Sequence, residues 1–184
     1  LYCIAAGNTA IIKPSEMTPA TSKLVYDMIN ELFDEKEVCV IEGAIEESEQ
    51  LLELPFNHIF FTGSTSIGKK VVQASSKHLS SFTLELGGKS PVIIDRGFNC
   101  NKVIGRLIAT KFMNMGQTCI APDYVVVHDD DYDIFLNQLI NTINTTYGKN
   151  FDDQLISKSL GRIVSQEHMS RLIDLLQKSK SKIL

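Results

Sequence analysis

The stretch that decides the fold of this 184-residue chain is Leu84-Glu85-Leu86-Gly87-Gly88-Lys89-Ser90-Pro91. An apolar strand pattern ends there in a carboxylate and two glycines, and a second apolar strand pattern begins directly afterwards. Glycine pairs of this kind mark the ends of regular elements. The glycines therefore predict a boundary between two α/β units, one formed by residues 1–87 and the other by residues 88–184.

Strand-like and helix-like patterns alternate on both sides of this boundary, which predicts an α/β fold with a mostly parallel sheet. Strands are predicted at residues 9–13, 38–41, 58–61, 82–86, 92–94 and 124–128. Helices are predicted at residues 46–52, 66–77, 101–113, 132–147 and 166–178. A further helix should begin after Thr18, with Pro19 in its first turn, because threonine caps helices and proline favours the first position.

The composition excludes several classes of protein. Hydrophobic residues make up 43% of the chain and charged residues 22%, and the net charge is −4, so nucleic acid is not an expected partner. No apolar run reaches the roughly 20 residues of a membrane helix. The four cysteines show neither a CxxC pair nor zinc-ligand spacing, so we expect a reduced, cytoplasmic chain. The apolar, uncapped start and the close directly after a helical pattern suggest a piece of a longer polypeptide.

A glycine-flanked loop stands where a strand pattern meets a helix pattern. It reads Gly63-Ser64-Thr65-Ser66-Ile67-Gly68, and backbone N–H groups at such a junction favour phosphate. The dinucleotide pattern GxGxxG fails at Thr65, and the P-loop pattern fails at Lys70, where a hydroxyl belongs. Without other motifs, a strand–turn–helix junction that binds no ligand is an equally good interpretation.

A cysteine lies in a second small-residue segment, Gly116-Gln117-Thr118-Cys119-Ile120-Ala121-Pro122. A thiol nucleophile and a remote carboxylate base are the groups needed to form and hydrolyse a thioester, which makes Cys119 and Glu85 the candidate catalytic pair. Burial of Glu85 in an apolar strand would raise its pKa into the range of a general base. The alternatives are a buried structural thiol, the role we assign to Cys3, Cys39 and Cys100, and a strand-end Glu85 that faces solvent.

These two segments resemble the signature motifs of the NAD(P)-dependent aldehyde dehydrogenases. Phe61-Thr62-Gly63-Ser64 with Gly68, and the segment from Gly7 to Glu16, are also similar to that family. Ala121-Pro122-Asp123-Tyr124 looks like the class 3 branch, which contains fatty and aromatic aldehyde dehydrogenases. The resemblance covers essentially the whole chain.

The resemblance implies a Rossmann-like, partial NAD(P)-binding domain at residues 1–87 and a partial catalytic domain at residues 88–184. Cys119 would attack the aldehyde and Glu85 would activate water for deacylation. The residues implied to contact the cofactor are Lys13 and Glu16 at the adenosine ribose, Gly63, Ser64, Thr65, Ser66, Ile67 and Gly68 at the pyrophosphate, and Leu86.

The Glu16 carboxylate favours NAD over NADP, whose 2′-phosphate it would repel, although the class 3 branch uses both. The Cys119 backbone N–H supplies one oxyanion donor, and the family's second donor lies in a segment outside this sequence. A homodimer is implied for the full-length protein, and membrane association is left open.

Two other functions remain as alternatives. The first is a catalytically inert fragment that at most binds nucleotide. The second is an ATP-binding P-loop protein, which Lys70 disfavours. With part of the oxyanion hole and of the nicotinamide site outside the sequence, we expect residues 1–184 alone to oxidise aldehydes poorly.

Overall fold

A computed structural model describes residues 2–98 and 100–180, which divide into two compact units, Leu1–Glu85 and Leu86–Leu184. The helices of the first unit are α1 (Tyr2–Ala5), α2 (Pro19–Leu32), α3 (Ile45–Leu52) and α4 (Thr65–Ser75). Its strands are β1 (Ala10–Ile12), β2 (Val38–Val40), β3 (His58–Gly63) and β4 (Ser81–Leu86). Each unit is described by itself below.

Strands β1 and β2 of the first unit pair in parallel, with Ala10 opposite Val38 and Ile12 opposite Val40. Both valines are buried, since α2 packs against β2. The strand pair is too narrow to cover the whole apolar face of α2. Its outer positions Leu24, Met28 and Leu32 therefore stay exposed.

Strands β3 and β4 form a second pair, and α4 packs against β3. His58, the first residue of β3, bonds across to β4 through both ring nitrogens, 2.8 Å from Ser81 Oγ and 3.1 Å from Thr83 Oγ1. Val71 and Gly68 on α4 are buried. Helix α4 therefore begins just after β3 ends, and its buried face packs against that strand.

The second unit contains strands β5 (Ser90–Ile94) and β6 (Pro122–Val127). Its helices are α5 (Cys100–Phe112), α6 (Tyr132–Tyr147), α7 (Phe151–Ile156) and α8 (Gln166–Lys178). The two strands pair in parallel, and α5 and α6 pack together beside them. The core consists of Ile94, Ile104, Ile108, Phe135 and Tyr147, and Ile104 is only 1% exposed.

The α/β fold with parallel strand pairing is confirmed, and within residues 2–98 and 100–180 the strands pair two by two into three small sheets. Helices α6 and α8 occupy the predicted residues, whereas α7 lies in a segment predicted to be a loop. Thr18 does precede α2, but its side chain makes no capping bond.

The boundary between the two units falls after Glu85 rather than after Gly87, and the roles assigned to the two domains stay predictions. No helix in the described ranges is long and apolar enough to cross a membrane.

Candidate active site

The segment that leads to Cys119 makes a left-handed turn. Helix α5 ends at Phe112, and after it Asn114, Met115 and Gly116 take φ values of 52°, 56° and 74°. For residues with a side chain this conformation costs roughly 1–2 kcal/mol each. Glycine is favoured at the third position both by its φ and because an added Cβ would lie 3.2 Å from the Lys111 carbonyl oxygen.

Hydrogen bonds from Gln117 close this turn. Its backbone N–H donates to Asn114 O at 3.1 Å, and its side-chain Nε2 donates to the same oxygen at 2.9 Å. Nε2 also donates to Arg162 O at 3.0 Å, while Oε1 accepts from the Val164 N–H at 3.0 Å. The Gln117 amide therefore bridges the turn and the segment that leads to α8.

The glycine pair lies against the cysteine turn within the second unit. A Cβ added at Gly88 would stand 2.8 Å from the backbone oxygen of Cys119. The β5–β6 register, with Ser90 opposite Pro122, sets this approach, and Lys89 forms an ion pair with Asp123 beside it. Two segments that are far apart in the sequence thus meet at the start of the paired strands.

The Cys119 side chain is exposed on this turn as a free thiol, which suits a nucleophile. The prediction of a buried structural thiol is wrong for Cys3, because its short helix α1 lies at the surface and leaves it exposed. Cys39 is half-buried, and this burial, followed by the charge of Glu35, raises the pKa of its thiol. The side chain of Cys100 lies outside the described residues.

The candidate base, Glu85, is exposed at the end of β4, so the expected burial of its carboxylate is wrong within the described residues. Thr83 and Leu84 are half-buried, and the following alternation along the strand turns Glu85 to solvent while Leu86 is again half-buried. This exposure agrees with the alternative of a strand-end carboxylate that faces solvent.

The glycine-flanked loop forms the junction of β3 and α4, as the sequence predicted. Gly63 is the last residue of β3, and Ser64 caps α4 by accepting a bond from the Ile67 N–H at 3.3 Å. Ser64 Oγ also lies 3.0 Å from Ser66 Oγ. Thr65 is exposed in the same first turn, which presents polar groups and a helix N-terminus to solvent.

Lys13 and Glu16 lie just beyond β1 and form an ion pair of 3.2 Å. The Lys13 ammonium also donates to Pro14 O at 2.9 Å and to Gly43 O at 2.8 Å, so its three hydrogens all have acceptors. A backbone N–H bond to its carboxylate, and then the Lys13 ammonium, hold the pKa of Glu16 below the usual value. Glu16 therefore presents an ionised, half-exposed carboxylate, and Lys13 positions it.

The bridging role of the Gln117 side chain was not predicted from the sequence. The available signal was an amide side chain, which carries two N–H donors and a carbonyl acceptor, in a segment of small residues. Among the described residues, no group of three or more histidine, cysteine or acidic side chains is arranged to hold a metal ion.

Comparison with known proteins identifies the relatives of this chain. Residues 1–184 match the aldehyde dehydrogenase family. The chain is 48% identical to 4,4′-diaponeurosporen-aldehyde dehydrogenase of Staphylococcus aureus, over 98% of this chain and 39% of that protein. It is 40% identical to aldehyde dehydrogenase family 3 member A2 of Rattus norvegicus, over 96% of this chain and 36% of that protein.

Solved structures give the same result. AldH of Staphylococcus aureus, in its substrate-bound state, superimposes with a TM-score of 0.86 at 48% identity, over 95% of this chain and 37% of that one. An aldehyde dehydrogenase of Mycobacterium tuberculosis complexed with NAD+ gives 0.83 at 27% identity, over 94% and 36%. The chain spans less than two fifths of the length of each of these proteins.

Proposed function

Because the chain belongs to the aldehyde dehydrogenase family and has class 3-like relatives, we propose that the protein oxidises an aldehyde to a carboxylic acid with NAD(P)+. The observation that carries this proposal is the exposed Cys119 thiol on a turn braced by Gln117 and packed against Gly88. A nucleophile needs accessibility together with a fixed position, and this turn supplies both.

The proposed reaction begins with attack of the Cys119 thiolate on the aldehyde carbonyl, which gives a thiohemiacetal. The Cys119 backbone N–H donates to the developing oxyanion. Bound NAD(P)+ would supply the hydride acceptor, and loss of hydride from the thiohemiacetal would leave a thioester on Cys119. Glu85 then removes a proton from water, which attacks the thioester; the carboxylic acid departs and the thiolate is restored.

The groups just beyond β1 and at the β3–α4 junction fit the cofactor. The N-terminus of α4, with Ser64 at its cap, suits a pyrophosphate, and this assignment includes Gly63 to Gly68. Glu16 offers a carboxylate to two ribose hydroxyls, which favours NAD over NADP because a 2′-phosphate would meet its charge. The NAD+ complex of the mycobacterial relative supports the same cofactor class.

Thiol labelling tests the nucleophile. We expect a mild alkylating agent to modify Cys119 faster than Cys39 in the complete polypeptide, with a rate that NAD changes. Cys119→Ser should nearly abolish turnover, whereas the control Cys3→Ser, at another exposed thiol, should leave it unchanged. Equal labelling of all cysteines with and without NAD would contradict the assignment.

A trapping experiment tests the base. Glu85→Gln should slow deacylation, so that a thioester on Cys119 accumulates and is seen by mass spectrometry after a single turnover. Glu49→Gln, at an exposed carboxylate on α3, is the matched control. An unchanged steady-state rate in Glu85→Gln would refute the role of Glu85.

The second candidate, nucleotide binding without catalysis, predicts a measurable affinity for NAD with no NADH formed from any aldehyde. The proposal for the full-length protein also includes a cytoplasmic location and a homodimer. Fractionation of cells and size-exclusion chromatography with light scattering test these two points.

A further inference from the structure

The Gln117 side chain joins two distant segments of the second unit. Its Nε2 donates to Asn114 O and Arg162 O, and its Oε1 accepts from the Val164 N–H, all at 2.9–3.0 Å. We propose that Gln117 is a positioning residue for Cys119: it fastens the left-handed turn to residues 162–164 and so sets where the thiol and its backbone N–H lie. This inference rests on the proposed function, in which Cys119 is the nucleophile.

The turn needs such a fastening because its conformation is unfavourable by itself. Asn114 and Met115 both have positive φ, and neither is a glycine. A backbone held away from its preferred conformation relaxes unless surrounding contacts determine it. The Asn114 side chain adds a weaker contact, donating from Nδ2 to Gln117 O at 3.3 Å, so three hydrogen bonds join Asn114 and Gln117 across the turn.

The other end of the bridge is itself anchored. The Arg162 guanidinium donates to Leu160 O at 3.0 Å and Gly161 O at 2.8 Å, and also to Leu155 O. An added Cβ at Gly161 would lie 3.6 Å from the Met115 Cγ, which shows how closely this segment packs on the turn. Gln117 therefore ties the turn to a segment that has its own support.

Displacement of Gln117 would reach the nucleophile directly. Only Thr118 separates the two residues, and the Ala121 N–H closes the next turn on Thr118 O at 3.0 Å. Ala121, directly before β6, is buried, so the far end of the segment is fixed. A shift of the Gln117 backbone therefore displaces Thr118 and Cys119.

The test uses Gln117→Ala and Gln117→Glu in the complete polypeptide, with Gln166→Ala, at an exposed residue that begins α8, as the matched control. We expect Gln117→Ala to lower kcat per titrated active site at least about tenfold, because catalysis is sensitive to displacements below an ångström. The affinity for NAD should stay within about twofold, since the residues proposed to contact its ribose and pyrophosphate belong to the first unit.

Hydrogen exchange gives a readout that is independent of activity. The Val164 amide should exchange faster in Gln117→Ala, whereas Gln117→Glu keeps the acceptor oxygen and should keep this protection. Gln117→Glu loses both donor bonds and should still lower kcat. Met115→Gly added to Gln117→Ala should restore part of kcat, because glycine adopts the left-handed conformation freely.

Two results would overturn the inference while leaving the proposed function intact: an unchanged Val164 exchange rate in Gln117→Ala, or a kcat per titrated site equal to that of Gln166→Ala. Failure of the unsubstituted protein to reduce NAD with any aldehyde would instead refute the proposed function, and with it the positioning role.

Discussion

Replacement of Gly88 by alanine tests the close approach between the glycine pair and the cysteine turn. The added Cβ would lie 2.8 Å from Cys119 O, whereas ordinary contacts begin at 3.4 Å, so one of the two segments must move. The displacement is about 0.6 Å, and overpacking of this kind typically costs about 1–3 kcal/mol. Gly87 is the matched control, because nothing lies within 4 Å of a Cβ added there.

We expect Gly88→Ala to lower kcat about tenfold, since catalytic groups must be held within about 0.5 Å of their productive positions. The rate of Cys119 alkylation should change in the same variant, and both quantities should remain unaltered in Gly87→Ala. Steady-state kinetics and mass-spectrometric labelling measure them. If Gly88→Ala and Gly87→Ala behave alike in both assays, the reasoning that couples the glycine pair to the cysteine turn is refuted.

Three further predictions concern stability. Gly105→Ala, in the middle of α5 with nothing within 4 Å of the new Cβ, should stabilise the second unit by about 0.5–1 kcal/mol and raise its melting temperature. Ile104→Ala should cost about 2–5 kcal/mol in denaturant unfolding, because the side chain is 1% exposed, whereas the 78% exposed Ile93 should tolerate alanine. Glu47→Gln should lower the melting temperature at neutral pH, because backbone N–H bonds, including that of Ala44 at 2.7 Å, hold the pKa of Glu47 below its usual value. Its contribution is complete above the unfolded-state pKa and is lost as the pH falls through the lowered folded-state pKa, so the difference between the two proteins should vanish in acid.

Elements with strong local signals were predictable from the sequence. Tyr132–Tyr147 and Gln166–Lys178 match the structure residue for residue, because apolar periodicity and polar flanks agree there. The six residues of α7 were missed, since so short a helix has almost no periodicity. It is held by the Asn150 side chain, which accepts from the Asp153 N–H at 2.9 Å.

The sequence also located the cysteine and the carboxylate of the candidate site without showing their surroundings. The exposure of Glu85 depends on which layers cover β4, and the hydrophobic pattern of the strand alone does not reveal this. The bridge made by Gln117 requires that residues 162–164 return to the turn, which is a long-range contact. Local propensity carries no information about contacts of this range.

The parallel pairing of β5 with β6 also determines when the candidate site can form during folding. Gly88 and Cys119 flank a crossover that contains all of α5, so their approach requires closure of a long loop rather than a local turn. Contacts of high sequence separation form slowly, because the entropy of loop closure is lost before the contacts compensate for it. The thiol therefore acquires its environment only when the second unit completes its fold, and an unfinished chain carries Cys119 as an ordinary cysteine.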